Sequence, residues 1–129
     1  MILFLIACED TPLDTGTLGF RIVGVSPKSG AADVVESHVP ELRLSGAADS
    51  ATCTNAVIRL DAIHANGTVA FPVAIDVAPI DAGAKLQLTH SLPFFHPWSY
   101  AISVLGGPDG CLDVDGNEIE AFQSTFEVP

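Results

Sequence analysis

The densest group of potential metal ligands lies near the carboxyl end of the chain. Between positions 109 and 120, five of the sixteen acidic residues share a short stretch that contains Asp113, Asp115 and Asn117. Carboxylate and amide oxygens are hard ligands that suit Ca²⁺ better than softer metals. The order does not match an EF-hand loop, because the glycine comes too early. Asp, Gly and Asn are also favoured in tight turns, so a solvated acidic turn is the main alternative to a weak calcium site.

The first of three cysteines suggests a lipid anchor. Cys8 ends the run Leu5-Ile6-Ala7-Cys8, which resembles a bacterial lipobox, where aliphatic residues and a small residue precede the cysteine that receives the lipid. The apolar run is too short to span a bilayer and lacks the basic region of a complete signal peptide. Residues 1–7 are therefore predicted to be a remnant of a lipoprotein signal peptide, from a start codon assigned too late. The alternative is a short apolar strand with a buried Cys8.

Cys53 and Cys111 remain if Cys8 carries lipid. An even number of remaining cysteines is typical of exported proteins. A zinc or redox site has little support, because the sequence contains no C-x-x-C pair and no histidine at zinc-finger spacing from these cysteines. A disulfide between the two would close a long loop and stabilise the fold by about 4 kcal/mol. Two reduced, buried thiols in a cytosolic protein are the alternative.

One segment has a composition suited to a binding partner. The run Phe94-Phe95-His96-Pro97-Trp98 concentrates aromatic side chains, and exposed aromatics stack on sugar rings or anchor protein interfaces. Phe94, Phe95 and Trp98 are therefore candidate ligand-binding residues for a carbohydrate or a protein. The alternative is that Trp98 covers one end of the fold while the prolines shape the loop.

No pattern of catalytic residues accompanies these groups. The four histidines, His38, His64, His90 and His96, share no metal-ligand spacing and are expected on the surface or in loops. A G-x-S-x-G elbow is absent, and no cysteine has the sequence context of a nucleophile. We therefore expect a protein that is not an enzyme. A small metal-dependent hydrolase that uses the acidic stretch is the alternative.

Seven short segments with alternating apolar and polar residues must position these groups. They lie at 20–25, 41–44, 57–62, 68–77, 85–89, 98–104 and 122–128. Period-two alternation is typical of half-buried strands. In the fourth segment Pro72 lacks a ladder donor, which predicts an edge strand or a bulge. The pattern predicts an all-β fold, an antiparallel β-sandwich of seven strands.

Composition narrows the class of protein. A chain of 129 residues, 48% apolar and 16% charged, is typical of one folded domain. Its formal net charge of −11 argues against nucleic acid as a partner and against adsorption to an anionic membrane through a basic patch. The polar stretch 8–19 is predicted to be a tether, which leaves 20–129 as the folded domain.

Several motifs follow the order and spacing of a known family. They are Val25-Ser26-Pro27-Lys28-Ser29-Gly30-Ala31, Leu42-Arg43-Leu44-Ser45, Leu92-Pro93, Tyr100-Ala101-Ile102-Ser103-Val104, and Asp115-Gly116-Asn117 followed by Phe122 to Phe126. Together they resemble the bacterial Ig-like domain of S-layer and surface proteins, the SbsA-type family, over more than four-fifths of the chain.

The resemblance implies an exported Ig-like β-sandwich without catalytic activity, serving as a structural, spacer or adhesive element of the cell envelope, at the outer membrane or the cell surface. It places the loops of Cys53 and Cys111 at the same end, so the disulfide would staple two neighbouring loops rather than pin the core. The Tyr100 hydroxyl is expected to hydrogen-bond the backbone at a corner of the fold; the alternative is a packed ring with its hydroxyl in water. Expected partners are the membrane, through lipid on Cys8, and an envelope protein or a glycan. No cofactor is expected, apart from the Ca²⁺ for which the acidic stretch is a candidate.

Overall fold

A computed structural model describes residues 19–129 of the chain. The predicted signal remnant 1–7, the lipid-anchor residue Cys8 and nearly all of the tether 8–19 lie outside the described residues. Within 19–129 no helix is long and apolar enough to cross a bilayer.

The described residues form eight β-strands. They are β1 (Ile22–Ser26), β2 (Glu41–Leu44), β3 (Ile58–Ile63), β4 (Val69–Val73), β5 (Asp76–Ile80), β6 (Lys85–Thr89), β7 (Trp98–Val104) and β8 (Phe122–Val128). A 3₁₀ turn, Asp81–Gly83, connects β5 to β6. Two four-stranded antiparallel sheets result, with orders β1-β2-β6-β5 and β4-β3-β7-β8. The all-β antiparallel sandwich is confirmed.

The predicted count of seven strands is wrong by one, because the fourth segment divides. Ala74 and Ile75 separate β4 from β5, and the two strands belong to different sheets. The apolar alternation runs through this crossing without interruption, so the sequence pattern could not show where the chain changes sheets. Pro72 lies in β4, at the edge of its sheet, and the pairing of β4 with β3 contains a register shift. Its prediction as an edge residue is confirmed.

The inner faces of the two sheets form one hydrophobic core. The first sheet contributes leucines from β2 and β6, and the second contributes aliphatic and aromatic residues from β3, β7 and β8. The most deeply buried are Leu42, Leu86, Leu88, Ile58, Leu60, Ala62, Tyr100, Ile102 and Phe126, all at most 1% exposed. Each large apolar side chain buried in this way contributes roughly 1.5–3 kcal/mol relative to an exposed one.

The strand registers place two groups of loops at opposite ends of the sandwich. Ile58 pairs with Val104, and Val104 with Phe122, at one end, whereas Ile63 pairs with Ser99 at the other. We call the first end the acidic pole; it contains loops 45–57 and 105–121. We call the second end the aromatic pole; it contains loops 27–40, 64–68 and 90–97.

Candidate functional site

The aromatic segment divides between core and surface. Phe94 is only 3% exposed, and its ring centroid lies 4.7 Å from that of Tyr100 and 5.5 Å from that of Phe126. Phe95 is 56% exposed, and Trp98 is half-buried. Of the three candidate contact residues, therefore, Phe94 anchors the loop, and Phe95 and part of Trp98 offer ring surface to a partner.

Tyr100 fixes the backbone from which Phe95 projects. Its hydroxyl donates to the carbonyl oxygen of Phe95 at 2.9 Å and accepts from the Phe95 amide at 2.7 Å. Burial raises the pKa of the Tyr100 hydroxyl, and the hydrogen bond with Phe95 opposes that rise. The expected hydrogen bond from this hydroxyl to the backbone is confirmed.

A cleft of about 230 Å³ opens beside the exposed ring of Phe95. One wall is β4 and the residues that follow it, and the other is the loop that begins at His90. The lining residues include Phe71, Pro72, His90, Leu92, Phe95 and Tyr100. Phe71 packs between two aromatic rings at the edge of this cleft. Its ring lies 5.8 Å from that of Phe95 and meets the ring of Trp98 edge-on at 5.4 Å. The cleft is mostly apolar with a few polar groups, the composition of small binding sites.

The acidic pole uses its central carboxylate to build a turn. Asp113 Oδ1 accepts from the backbone amides of Asp115 and Asn117 at 3.0 and 2.8 Å, and Oδ2 accepts from the Asn117 side-chain amide at 2.9 Å. These bonds, led by that of the Asn117 side chain, lower the pKa of Asp113 below its ordinary value. Gly116 has φ of +84°, which a tight turn of this kind requires and glycine adopts without strain.

Calcium at this turn stays a prediction. Both carboxylate oxygens of Asp113 already accept hydrogen bonds, while Asp115 and Asn117 are exposed. Within residues 19–129 no group of three or more His, Cys, Asp or Glu side chains is arranged to hold a metal ion. A rise in melting temperature on adding millimolar Ca²⁺ would support a site, and an unchanged melting temperature would reject it.

The disulfide joins the two loops of the acidic pole. Cys53 and Cys111 are bonded across a sequence separation of 58, and the two residues are 1% and 0% exposed. Thr52 Oγ1 accepts from the Leu112 amide at 3.0 Å, and the Asp49 amide donates to the Leu112 carbonyl at 2.9 Å. The predicted pairing of neighbouring loops is confirmed. The expectation that the bridge would not pin the core is wrong, because both cysteines belong to the core cluster.

All four histidines lie at the aromatic pole, which their spacing in the sequence did not reveal. The ring of His64 packs 5.7 Å from Trp98, and His96 Nε2 lies 3.3 Å from a Glu36 carboxylate oxygen. The ring of His90 stacks on Phe94 at 4.1 Å, and Nε2 of His90 lies 2.7 Å from the carbonyl oxygen of His38. The last contact spans 52 positions, so no local motif encodes it.

Comparison with known proteins gives similar structures but no related sequence. The described fold is similar to surface layer protein SbsC, domains 1–6, with a TM-score of 0.62, 16% identity, and coverage of 87% of this chain and 14% of that one. It is also similar to PcoC, a methionine-rich copper resistance protein from Escherichia coli, with a TM-score of 0.66 and 15% identity. This match covers 86% of the present chain and 99% of PcoC. CopC from Methylosinus trichosporium OB3b gives a TM-score of 0.58 and 17% identity, and 84% of this chain and 92% of that chain are covered.

These similarities establish the β-sandwich fold alone. The chain spans about a seventh of two S-layer structures that it matches and about a quarter of a third. It contains a single methionine, Met1, so it does not share the methionine-rich composition of PcoC. No protein-family model matches the sequence, and no curated protein matches it either. The SbsA-type assignment therefore stays a prediction.

Proposed function

We propose that this chain is a non-catalytic, exported β-sandwich module of the bacterial cell envelope, held to the membrane by a lipid on Cys8 and serving as a structural or adhesive element. The buried disulfide between Cys53 and Cys111 carries the proposal. Structural disulfides form and persist in oxidising compartments outside the cytosol. The similarity of the fold to part of an S-layer protein supports the same location.

The place where the chain enters the sandwich determines the orientation that such an anchor would give the domain. The carbonyl oxygen of Phe20 accepts from the Glu120 amide at 3.0 Å, so the tether 8–19 joins the domain at the acidic pole. Fully extended, such a tether reaches at most about 40 Å. A lipid on Cys8 would thus put the acidic pole toward the membrane and the aromatic pole, with its exposed Phe95, away from it.

The absence of catalysis is proposed because the groups best suited to chemistry already have structural partners. The Asp113 carboxylate organises a turn, the Tyr100 hydroxyl holds the backbone of Phe95, and Cys53 and Cys111 are bonded to each other. A broad hydrolase substrate panel tests this part of the proposal, and activity that is lost in D113A together with D115A would contradict it.

The lipid anchor is tested by comparing the native chain with C8S, each expressed from its own locus in its own host. We expect the native chain in the membrane fraction, with an amino-terminal peptide that carries a lipid on Cys8, and C8S in the soluble exported fraction. Both should contain the Cys53–Cys111 disulfide. An unmodified Cys8 together with identical fractionation of the two proteins would reject the anchor, and reduced cysteines would reject export.

A receptor for a carbohydrate or a protein is the second candidate function. The exposed ring of Phe95 beside the apolar cleft favours it, because accessible aromatic surface next to a cleft suits stacking on a sugar ring. Binding to a glycan array should be lost in F95A and retained in V114A. Val114 is a suitable control because it is 65% exposed and lies at the acidic pole. Equal binding by both variants, or none by the native chain, would reject a glycan receptor.

A further inference from the structure

His90 occupies a position that its charged form fits better than its neutral form. Nδ1 lies 2.6 Å from the carbonyl oxygen of Leu92, and Nε2 lies 2.7 Å from the carbonyl oxygen of His38. Carbonyl oxygens only accept hydrogen bonds, and a neutral imidazole has one N–H to donate. Only the imidazolium, with two N–H groups, satisfies both contacts. In the neutral form one ring nitrogen would face a carbonyl oxygen with no proton between them.

The two carbonyls belong to different loops of the aromatic pole. His38 lies in the loop before β2, and Leu92 lies in the loop that carries the exposed Phe95. The ring of His90 also stacks on Phe94 at 4.1 Å with an interplanar angle of 19°, an arrangement that favours a cation over an aromatic face. The Phe94 amide donates to the Glu36 carbonyl at 2.9 Å, which is a second connection between the same two loops.

We infer that protonated His90 is a pH-responsive clamp: it joins loop 27–40 to loop 90–97, and loss of its proton loosens the aromatic pole. A histidine side chain loses this proton as pH rises. Acid therefore closes the clamp, and alkali opens it. Its opening would release the loop that positions Phe95 beside the cleft.

Of the other titratable groups near His90 within residues 19–129, only one solvent-exposed pair also joins the two loops. Asp76 borders the same small hollow from β5 and is exposed. The Tyr100 hydroxyl is engaged with Phe95, and the His38 ring faces the Ser26 hydroxyl at 3.2 Å. Glu36 of loop 27–40 also pairs with His96 of loop 90–97, but both side chains are more than half exposed, so solvent screening leaves this pair weak.

Nuclear magnetic resonance of the uniformly ¹⁵N-labelled chain tests the inference directly. Long-range ¹H–¹⁵N correlations distinguish the imidazolium from either neutral tautomer. We expect His90 to carry two ring protons at pH 5.5 and one at pH 8.5. A neutral His90 at pH 5.5 in the folded protein would overturn the inference.

Amide exchange shows whether the clamp holds the loop. After correction for the intrinsic rate, protection of the Phe94 amide should fall about tenfold between pH 5.5 and 8.5, the loss of one charge-assisted hydrogen bond. The Asp113 amide, which donates to the Asn117 carbonyl at the acidic pole, should keep its protection over the same range. Equal protection of the Phe94 amide at both pH values would overturn the inference.

Two matched variants separate the clamp from general effects of histidine. H90Q should remove the pH dependence of Phe94 protection and lower the melting temperature at pH 5.5 by about 5 °C. H96Q should behave as the native chain, because His96 contacts the exposed Glu36. The inference is overturned if H90Q retains the native pH dependence or if H96Q abolishes it.

Discussion

The two poles of the sandwich are ordered in different ways. At the acidic pole, Asp113 bonds groups two and four positions away, and the Cys53–Cys111 bridge fixes the loops covalently. At the aromatic pole, His90 contacts a carbonyl 52 positions away, and Phe94 packs into the core. A local turn and a covalent bridge order the acidic pole, whereas non-covalent packing orders the aromatic pole.

The ionisable groups of the two poles also predict opposite responses to pH. Asp113 has a lowered pKa in the folded chain, so its contribution to stability is lost as pH falls. The clamp inferred for His90 needs the imidazolium form to satisfy both carbonyl partners, so rising pH should open it. The domain should therefore loosen from the acidic pole in acid and from the aromatic pole in alkali.

Removal of the disulfide should have the largest effect. Replacing both Cys53 and Cys111 by alanine should lower the free energy of unfolding by about 4 kcal/mol, because the unfolded chain regains the entropy of a long loop. Urea unfolding measures the loss. Trp98 is the only tryptophan and lies at the aromatic pole, away from the bridge. The tryptophan fluorescence of the folded double variant should therefore equal that of the folded native chain. A loss below about 1 kcal/mol would show that the acidic pole does not depend on the bridge.

Truncation of Phe94 should have the next largest effect, now at the aromatic pole. F94A should cost about 3 kcal/mol, because it empties a site that is 3% exposed. F95A serves as the control and should cost less than about 1 kcal/mol, since its ring is 56% exposed. Thermal unfolding compares the two. Similar losses would contradict the division of this segment into anchor and surface.

Loss of the Tyr100 hydroxyl should have a smaller effect. Y100F leaves the Phe95 amide and carbonyl without their partner and should cost about 1.5 kcal/mol. S124A is the matched control, because the Ser124 hydroxyl is buried and has no hydrogen-bond partner within residues 19–129. Its removal should be neutral or stabilising, as measured by urea unfolding. Equal costs for the two variants would show that the Tyr100 bond does not hold the loop.

Replacement of Asp113 by asparagine should have the smallest effect on stability, and that effect should depend on pH. D113N places an amide group against the donors of Asn117, so it should melt below the native chain near pH 7. The pKa of Asp113 is lowered in the folded chain. The difference in melting temperature between D113N and the native chain should therefore reach its full size above about pH 4, the ordinary range of an aspartate pKa, and should shrink as pH falls further. Melting curves from pH 2 to 7 test this, and a difference that is constant with pH would reject the role of the charge.

Much of the fold could be predicted because its signals are local. Alternation along segments such as 98–104 shows which side chains face the core, and Pro72 indicates an edge strand. The tight turn at 113–117 also follows from residue types alone, since Asp, Gly and Asn form such turns through bonds to near neighbours. The hydrogen bond from the Tyr100 hydroxyl to the backbone was expected from the family resemblance instead, and it is confirmed.

The aromatic pole could be predicted only in part. The run 94–98 indicates aromatic surface, yet its sequence does not distinguish the buried Phe94 from the exposed Phe95. Their difference arises because Tyr100 and Phe126, on β7 and β8, enclose one ring and leave the other outside. No spacing indicated that His90 would meet the loop of His38.

The sequence by itself determined the strand pattern, the acidic turn and the excess of acidic residues, because each depends on residue types or on neighbours along the chain. The tertiary structure decided three other features: where the fourth segment changes sheets, which phenylalanine reaches the surface, and which carbonyls His90 contacts. These depend on groups that are distant in sequence and meet only when the two sheets pack, so no local pattern can specify them.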